Sequence, residues 1–203
     1  MKATARERLG RLLTERNQYP ERAAEIDAQV WQAFGRTVAM LALDMSGFSS
    51  TTVQHGIVHF LAMIHQMVQG ASPAVRGNEG EVVKQEADNL FAVFPHPRNA
   101  LEAALDILRV FAGMNAVLPA GRQLAASIGI GWGPTLILPQ EDLFGEEMNA
   151  ACKLGEDLAG RNEILLTAAA YAALPVGTYA CEATSFNVSG VELPAYRYRA
   201  RAL

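Results

Sequence analysis

The architecture of this chain follows from the stretch Thr37–Ser50, which reads TVAMLALDMSGFSS. Its apolar first half is typical of a strand that is buried on both faces of a sheet, and this strand ends at Asp44. A turn with Gly47 and the start of a helix follow, and the backbone N–H groups of such a turn suit an anion. Since a carboxylate tolerates a nearby anion best with a cation between them, the stretch predicts a divalent metal that holds a phosphate. An ordinary turn and helix cap is the alternative interpretation.

Composition limits the function classes. The chain has 203 residues, of which 50% are hydrophobic and 19% charged, with a formal net charge of -4. This is enough apolar material for one globular core, and the acidic balance argues against a general nucleic-acid binder. No apolar run reaches the roughly 18 residues of a membrane helix, and the charged N-terminus does not resemble a signal peptide. We therefore expect no membrane insertion. Cys152 and Cys181 have no metal-binding spacing, and we expect a cytoplasmic protein.

The segments after the first strand predict a known order of elements. Hydrophobic periodicity and turn residues indicate a helix, a hairpin, a second helix and another strand. Their ranges are Ser50–Gln69, Glu81–Phe94, Pro97–Met114 and Arg122–Gly131, with a loop at Pro73–Gly80. The last strand continues at Thr135–Leu138 after a turn at Gly131–Pro134. With the first strand they give the βαββαβ pattern of a ferredoxin-like α+β sheet with helices on one face.

Further elements flank this unit. Met1–Asn17 and Glu21–Phe34 have helical patterns, so we expect an N-terminal helical extension over residues 1–36 and one larger domain over residues 37–203. On the C-terminal side, the pattern predicts a helix from Glu146 to Ala159, a short strand at Ile164–Leu166 and extra strands up to Arg199.

Several polar residues are candidates for a site. A hairpin beside the first strand would bring Asp88 near Asp44, giving two carboxylates for one metal site, and Lys84 lies across the hairpin tip from Asp88. Asn149 and Lys153 are four apart and share a helix face, where an amide and a cation suit a sugar hydroxyl and a phosphate. Solvated surface positions are the alternative for these residues.

The histidines form another spacing pattern. His55 and His59 are also four apart, which is the spacing of a metal pair on one helix face. No acid or cysteine joins them, so we expect a solvated or interfacial role.

Four motifs together resemble the catalytic domain of class III adenylate/guanylate cyclases, over about Thr37–Arg199. They are LDMSGFS at Leu43, VVKQEADNLFAVF at Val82, DLFGEEMNAACKL at Asp142 and EILLT at Glu163. A single short motif would be a weak signal, but four in the same order are a strong one. The βαββαβ pattern agrees with this resemblance independently.

The resemblance implies two divalent metal ions, Mg²⁺ or Mn²⁺, held by Asp44, Met45 and Asp88. One ion would lower the pKa of the ribose 3′-hydroxyl, and both would stabilise the α-phosphate under attack. The loop formed by Met45, Ser46, Gly47, Phe48 and Ser49 would bind the β- and γ-phosphates.

The resemblance also implies an ATP site. Lys84 and Asp142 would recognise the purine, since a donor and an acceptor match the N1 and 6-amino groups of adenine. Asn149 would orient the ribose, and Lys153 would stabilise charge on the phosphoryl group. In the family the metal aspartates and the base-reading residues come from different chains, which implies a head-to-tail homodimer with two interfacial sites. The N-terminal helices would tether this dimer or transmit a signal to it.

Three departures from the family pattern weaken the expectation of fast turnover. Ala87 stands where the family usually has Gly, in a hairpin that favours positive φ. Lys153 replaces the usual Arg and loses its bidentate fork, and Ser189 replaces a phosphate-binding Lys.

Three functions therefore remain open: an adenylate cyclase that forms cyclic AMP, a cyclase of a guanine or pyrimidine nucleotide, and a low-activity module that binds nucleotide or a partner. The Lys84 and Asp142 pair argues against guanine, and the two metal aspartates argue against a module without turnover.

Overall fold

In a computed structural model of the chain, the structure describes residues 3–46, 56–188 and 190–201. The α-helices are α1 (Ala5–Gln18), α2 (Ala23–Phe34), α3 (Ile57–Gly77), α4 (Pro97–Asn115), α5 (Glu146–Cys152) and α6 (Ala168–Ala172). Short 3₁₀ turns cover Pro20–Arg22 and Ala120–Arg122, and a π-helix covers Lys153–Leu158. The strands are β1 (Gly35–Met45), β2 (Glu81–Glu86), β3 (Asn89–Phe94), β4 (Ala126–Leu138), β5 (Asp142–Phe144), β6 (Ile164–Thr167), β7 (Tyr179–Val188) and β8 (Val191–Arg201).

These strands form one sheet in the order β2-β3-β1-β4-β6-β8-β7, and β5 pairs with β4. Strand β1 lies between β3 and β4 and is antiparallel to both. Its residues from Val38 to Leu43 are at most 2% exposed, because helices or strands cover both faces of the sheet. The predicted burial of β1 is therefore confirmed, although the strand begins at Gly35, two residues before the expected start.

Alternate residues of β1 face two different layers. Leu41 and Leu43 belong to the main core, which α3 and α4 complete on one face. Met40 and Ala42 face the other side, where Met148 of α5 joins a smaller apolar cluster. The predicted ferredoxin-like α+β fold is confirmed, with the two helices of the βαββαβ unit on one face and α5 on the other.

Helix α3 does not end where its sequence suggested. The expected loop at Pro73–Gly80 was wrong, since α3 continues through Pro73 to Gly77. Ala71, Ala74 and Val75 are buried in the core, and this burial outweighs the hydrogen bond that the proline ring removes. Asn78 then ends the helix, and its side-chain amide donates to the Ala74 carbonyl at 2.9 Å.

Two predictions between β4 and β6 also needed correction. The expected turn at Gly131–Pro134 is not a turn, because β4 runs unbroken from Ala126 to Leu138. The expected helix over Glu146–Ala159 is an α-helix only to Cys152, after which the chain widens into a π-helix. The π-helix closes where the Ala159 N–H donates to the Leu154 carbonyl at 2.7 Å.

The N-terminal helices pack on the same chain. Ile26, Val30 and Phe34 of α2 are buried, and Leu9 and Leu12 of α1 pack against a cluster that includes Phe34 and Leu138. Helix α1 begins with a capping box between Thr4 and Glu7. Among the described residues, no helix is both long and apolar enough to cross a membrane.

Candidate active site

The candidate site begins where β1 ends. Asp44 lies opposite Asn89 of β3 and Ser127 of β4, and the β2–β3 hairpin places Asp88 in the adjoining turn. Burial is the main cause that raises the pKa of Asp44, and together with the charges of Asp88, Glu156 and Asp157 it brings that pKa to about 7. The structure therefore brings Asp44 and Asp88 together as the hairpin predicted.

The two acids of the π-helix were not identified from the sequence. Residues two apart on a strand share a face, so Asp44 lies on the same side of the sheet as Ala42. A Cβ on Gly155 would lie 2.6 Å from the Ala42 carbonyl oxygen, which shows how closely the π-helix approaches β1 there. This approach brings Glu156 and Asp157 near Asp44, and only the tertiary packing reveals it.

The donor set suits a divalent cation. Mg²⁺ in proteins uses one or two carboxylates and completes its shell with water and substrate phosphates, which is what Asp44 and Asp88 allow. The Oδ1 atom of Asn89, directly across from Asp44, is buried and has no hydrogen-bond partner within the part of the chain that the structure describes. Met45 has a side chain in the core, so only its backbone could contribute. In the described ranges, no three His, Cys, Asp or Glu side chains group as metal ligands.

Ser46 is engaged within the protein. Its N–H donates to the Ala125 carbonyl at 3.0 Å, and its hydroxyl lies 2.7 Å from that of Ser127. The other residues of the expected phosphate loop, Gly47, Phe48 and Ser49, lie outside the described residues, as do His55 and Ser189. His59 is described, and its Nε2 lies 2.9 Å from the Gly121 carbonyl oxygen.

The two residues predicted to recognise the base lie side by side. Lys84 of β2 donates to Asp142 Oδ1 of β5 at 3.4 Å, and the Leu143 N–H donates to the same oxygen at 3.0 Å. Lys84 also lies 2.5 Å from Glu86, which shares its strand face. Glu86 and then Asp142 hold the pKa of Lys84 above its usual value. Glu86, the third member of this charged group, was not identified from the sequence. Its i, i+2 spacing from Lys84 was the signal that could have identified it.

Asn149 and Lys153 lie on the opposite side of the sheet from α3 and α4. Asn149 is exposed on α5, and Lys153 opens the π-helix, where its Nζ lies 2.6 Å from Asp157. The predicted amide and cation are therefore near each other in the chain, but Lys153 has an acidic partner within the same π-helix.

The hairpin turn has the backbone that the sequence suggested. Ala87 has φ of 49°, which is the left-handed region where a Cβ is unfavourable. This strained alanine directly precedes Asp88 in the hairpin turn.

We expect Ala87→Gly to stabilise the protein by about 0.5–1 kcal/mol, because glycine adopts positive φ without a steric penalty. The same substitution at Ala28, an exposed position within α2, should instead destabilise by about 1 kcal/mol. Chemical denaturation of both variants measures this, and a destabilised Ala87→Gly variant would contradict the proposed strain.

No family model matches the chain, and no curated protein matches it. Solved structures do match. The catalytic core of a rhodopsin-guanylyl cyclase with converted specificity, in complex with ATPαS, superimposes with a TM-score of 0.70 and 18% identity over 82% of this chain and 99% of that one. The guanylate cyclase domain of RhGC from Catenaria anguillulae, in complex with GTP, superimposes with a TM-score of 0.68 and 18% identity over 81% of this chain and 97% of that one.

An adenylate/guanylate cyclase/hydrolase from Silicibacter pomeroyi gives a TM-score of 0.65 and 21% identity over 81% of this chain and 95% of that one. These likenesses span nearly the whole of the other domains. The chain therefore has the fold of nucleotide cyclase catalytic domains, and the resemblance seen in its motifs is confirmed at the level of the fold.

Proposed function

We propose that this chain is a nucleotide cyclase that converts ATP to 3′,5′-cyclic AMP and pyrophosphate. The observation that carries the proposal is the pair of carboxylates in a cyclase fold, with Asp44 at the end of β1 and Asp88 in the adjoining β2–β3 turn. Two acids held close together without a cation are unfavourable, and this arrangement is explained if the site has been built for divalent ions. The Lys84–Asp142 pair favours adenine.

Two Mg²⁺ or Mn²⁺ ions bound by Asp44 and Asp88 would activate the ribose 3′-hydroxyl and stabilise the α-phosphate. Lys84 donates to N1 of adenine, and Asp142 accepts from its 6-amino group. Asn149 hydrogen-bonds to the ribose and fixes the attacking hydroxyl. Lys153 leaves its internal partner Asp157 and stabilises charge on the transferring phosphoryl group, with lower directionality than an arginine would provide.

We also propose that the site forms between two copies of the chain. The carboxylates of one protomer would face Lys84, Asp142, Asn149 and Lys153 of its partner in a head-to-tail homodimer with two equal sites. The exposed position of Asn149 is compatible with this, because an exposed amide is available to a substrate held by a partner chain.

One observation favours a second candidate, a module that binds nucleotide or a partner protein with little turnover. Lys153 is already paired with Asp157, and breaking that pair reduces the benefit of its charge in the transition state. The Ala87 and Ser189 departures point the same way. A cyclase of a guanine or pyrimidine nucleotide is the alternative that keeps the chemistry.

The test is an assay of purified protein with ATP, GTP, CTP and UTP separately, each with Mg²⁺ and Mn²⁺, with products identified by mass spectrometry. We expect cyclic AMP as the main product. Asp142→Asn should lower the preference for ATP over GTP by about tenfold, because it exchanges one well-placed acceptor for an amide that can also donate. Glu146→Gln, which changes an exposed acid four residues away, should leave the preference unchanged.

Another cyclic nucleotide as the main product would keep the mechanism and overturn the assigned base. Failure to form any cyclic product, by protein shown to be dimeric, would favour the binding module.

A further inference from the structure

The N-terminal extension reaches the base-reading end of the candidate site. Arg6 of α1 donates from Nε to Glu141 at 2.9 Å, and its Nη2 lies 3.7 Å from Asp142 Oδ2. Glu141 lies in the turn that joins β4 to β5, and Asp142 is the first residue of β5. A residue 136 positions earlier in the chain therefore contacts the carboxylate that we assign to adenine recognition.

The two oxygens of Asp142 have different surroundings. Oδ1 accepts from Lys84 and from the Leu143 N–H. Oδ2 faces Arg6, and it is the oxygen with room for another donor, since a carboxylate oxygen has two lone-pair sites. Residues from both parts of the chain therefore contact this carboxylate, Lys84 at Oδ1 and Arg6 at Oδ2.

Contacts with α2 and with the cluster at the end of β4 hold helix α1 of the N-terminal extension in place near Asp142. Leu9 and Leu12 of α1 pack against the cluster that contains Leu138, at the end of β4. Arg16 of α1 pairs with Asp27 of α2 through two hydrogen bonds, at 2.5 and 3.0 Å. Helix α1 is thus fixed both to α2 and to the strand that precedes the Glu141 turn.

Helix α2 shares a cavity with the far end of this segment. Trp31 lines an apolar cavity of about 410 Å³ together with Leu136, Phe144 and Gly145. Arg6 of α1 therefore lies near the start of β5, at Asp142, and the cavity lined by Trp31 of α2 lies at its end, at Phe144.

From these contacts we infer that Arg6 is a positioning residue for Asp142, so that the N-terminal extension takes part in choosing the nucleotide base. This inference rests on the proposed function, because it concerns the same site. Arg6 does not contact the reacting atoms. It acts by keeping Oδ2 where the 6-amino group of adenine can reach it.

The expected effect is modest. The Arg6 side chain is 62% exposed and that of Asp142 24%, and ion pairs at such exposure have small free energies. We expect Arg6→Ala to lower the ratio of kcat/KM for ATP over GTP by about two- to fivefold. The change should lie in KM, with kcat preserved. Arg6→Lys should retain part of the ratio, since it keeps the charge but lacks the fork that reaches two carboxylates.

The matched control is Arg16→Ala, which removes an α1 ion pair that does not involve Asp142. All variants are made in the full chain, and thermal melting checks that each is folded. Equilibrium binding of N-methylanthraniloyl-ATP and N-methylanthraniloyl-GTP gives a second measure of preference that does not need turnover.

The inference holds if Arg6→Ala shifts both measures and Arg16→Ala shifts neither. It is overturned if Arg6→Ala keeps the original preference, or if Arg16→Ala causes the same loss, since general loosening of α1 would then explain the effect. If the unsubstituted chain neither binds nor converts any nucleotide, the proposed function is overturned as well. If the unsubstituted chain prefers ATP and Arg6→Ala keeps that preference, only the inference about Arg6 is overturned.

Discussion

Asp44→Asn is expected to reduce cyclic-nucleotide formation by between about a hundredfold and a thousandfold, because it would remove a charged ligand from the proposed metal site, which would stabilise charge in the transition state. The amide is nearly isosteric with the acid, so the loss would reflect chemistry and not packing. The same assay used for the nucleotide panel measures this loss. Glu192→Gln, an exposed acid on β8, should have wild-type activity.

The same substitution should stabilise the metal-free protein at neutral and higher pH. The folded-state pKa of Asp44 is about 7, whereas an unfolded aspartate has a pKa near 4. Folding is therefore favoured when Asp44 is protonated, and this contribution is full below about pH 4 and lost as the pH rises to about 7. Asparagine never ionises, so the variant keeps this contribution at every pH.

Melting temperatures measured in EDTA test the direction of this pH effect on stability. Asp44→Asn should match the original chain at pH 4 and melt at a higher temperature at pH 8, whereas Glu192→Gln should show no such divergence. Added Mn²⁺ should raise the melting temperature of the original chain at pH 8 and have little effect on Asp44→Asn. Equal melting at pH 8 together with unchanged activity would contradict a carboxylate pair built to hold a cation.

The sequence predicted the part of the site that depends on local order. An apolar run ending in Asp44 predicts a buried strand with a carboxylate at its end, and the hairpin that follows the next helix pairs with this strand and brings Asp88 beside it. Lys84 and Asp142, 58 residues apart, could be paired only through the resemblance to a family, and the structure does bring them into contact.

The remainder depends on packing between distant segments. The π-helix that brings Glu156 and Asp157 near Asp44 leaves no periodic signal, because its widened turn is set by contacts with β1 and β4. Arg6 and Asp142 are far apart in the sequence, so no local sequence pattern predicts their contact. Pro73 was a misleading signal, since burial of its neighbours kept α3 helical.

The glycines of β4 carried a signal that was misinterpreted. Gly129, Gly131 and Gly133 recur at every second position, which is the period of one face of a strand. Gly131 and Gly133 were predicted to lie in a turn, whereas in the structure all three glycines form a groove into which α5 and the π-helix fit. A side chain on this face would separate the sheet from the segment that carries Asn149 and Lys153.

Gly129→Ala is therefore expected to have the largest effect on stability. A Cβ at this position would lie 2.0 Å from the Ala151 carbonyl oxygen and 2.6 Å from the Gly155 nitrogen. Both atoms are backbone, so no flexible side chain can move aside. We expect a loss of about 3 kcal/mol or more, which is a large part of the 5–15 kcal/mol that typically separates folded from unfolded protein. Denaturant titration measures it, and recovery of only insoluble protein would be the extreme form of the same result.

The control for this change is Gly113→Ala, on an exposed part of α4 where an added Cβ meets no atom within 4 Å. There the substitution should stabilise by about 0.5–1 kcal/mol, because alanine loses less backbone entropy in a helix than glycine. Opposite signs from the same chemical change would attribute the Gly129 effect to contact with α5. If Gly129→Ala instead unfolds at the original denaturant concentration, α5 does not lie against β4 as described, and Asn149 and Lys153 would have to be positioned by other contacts.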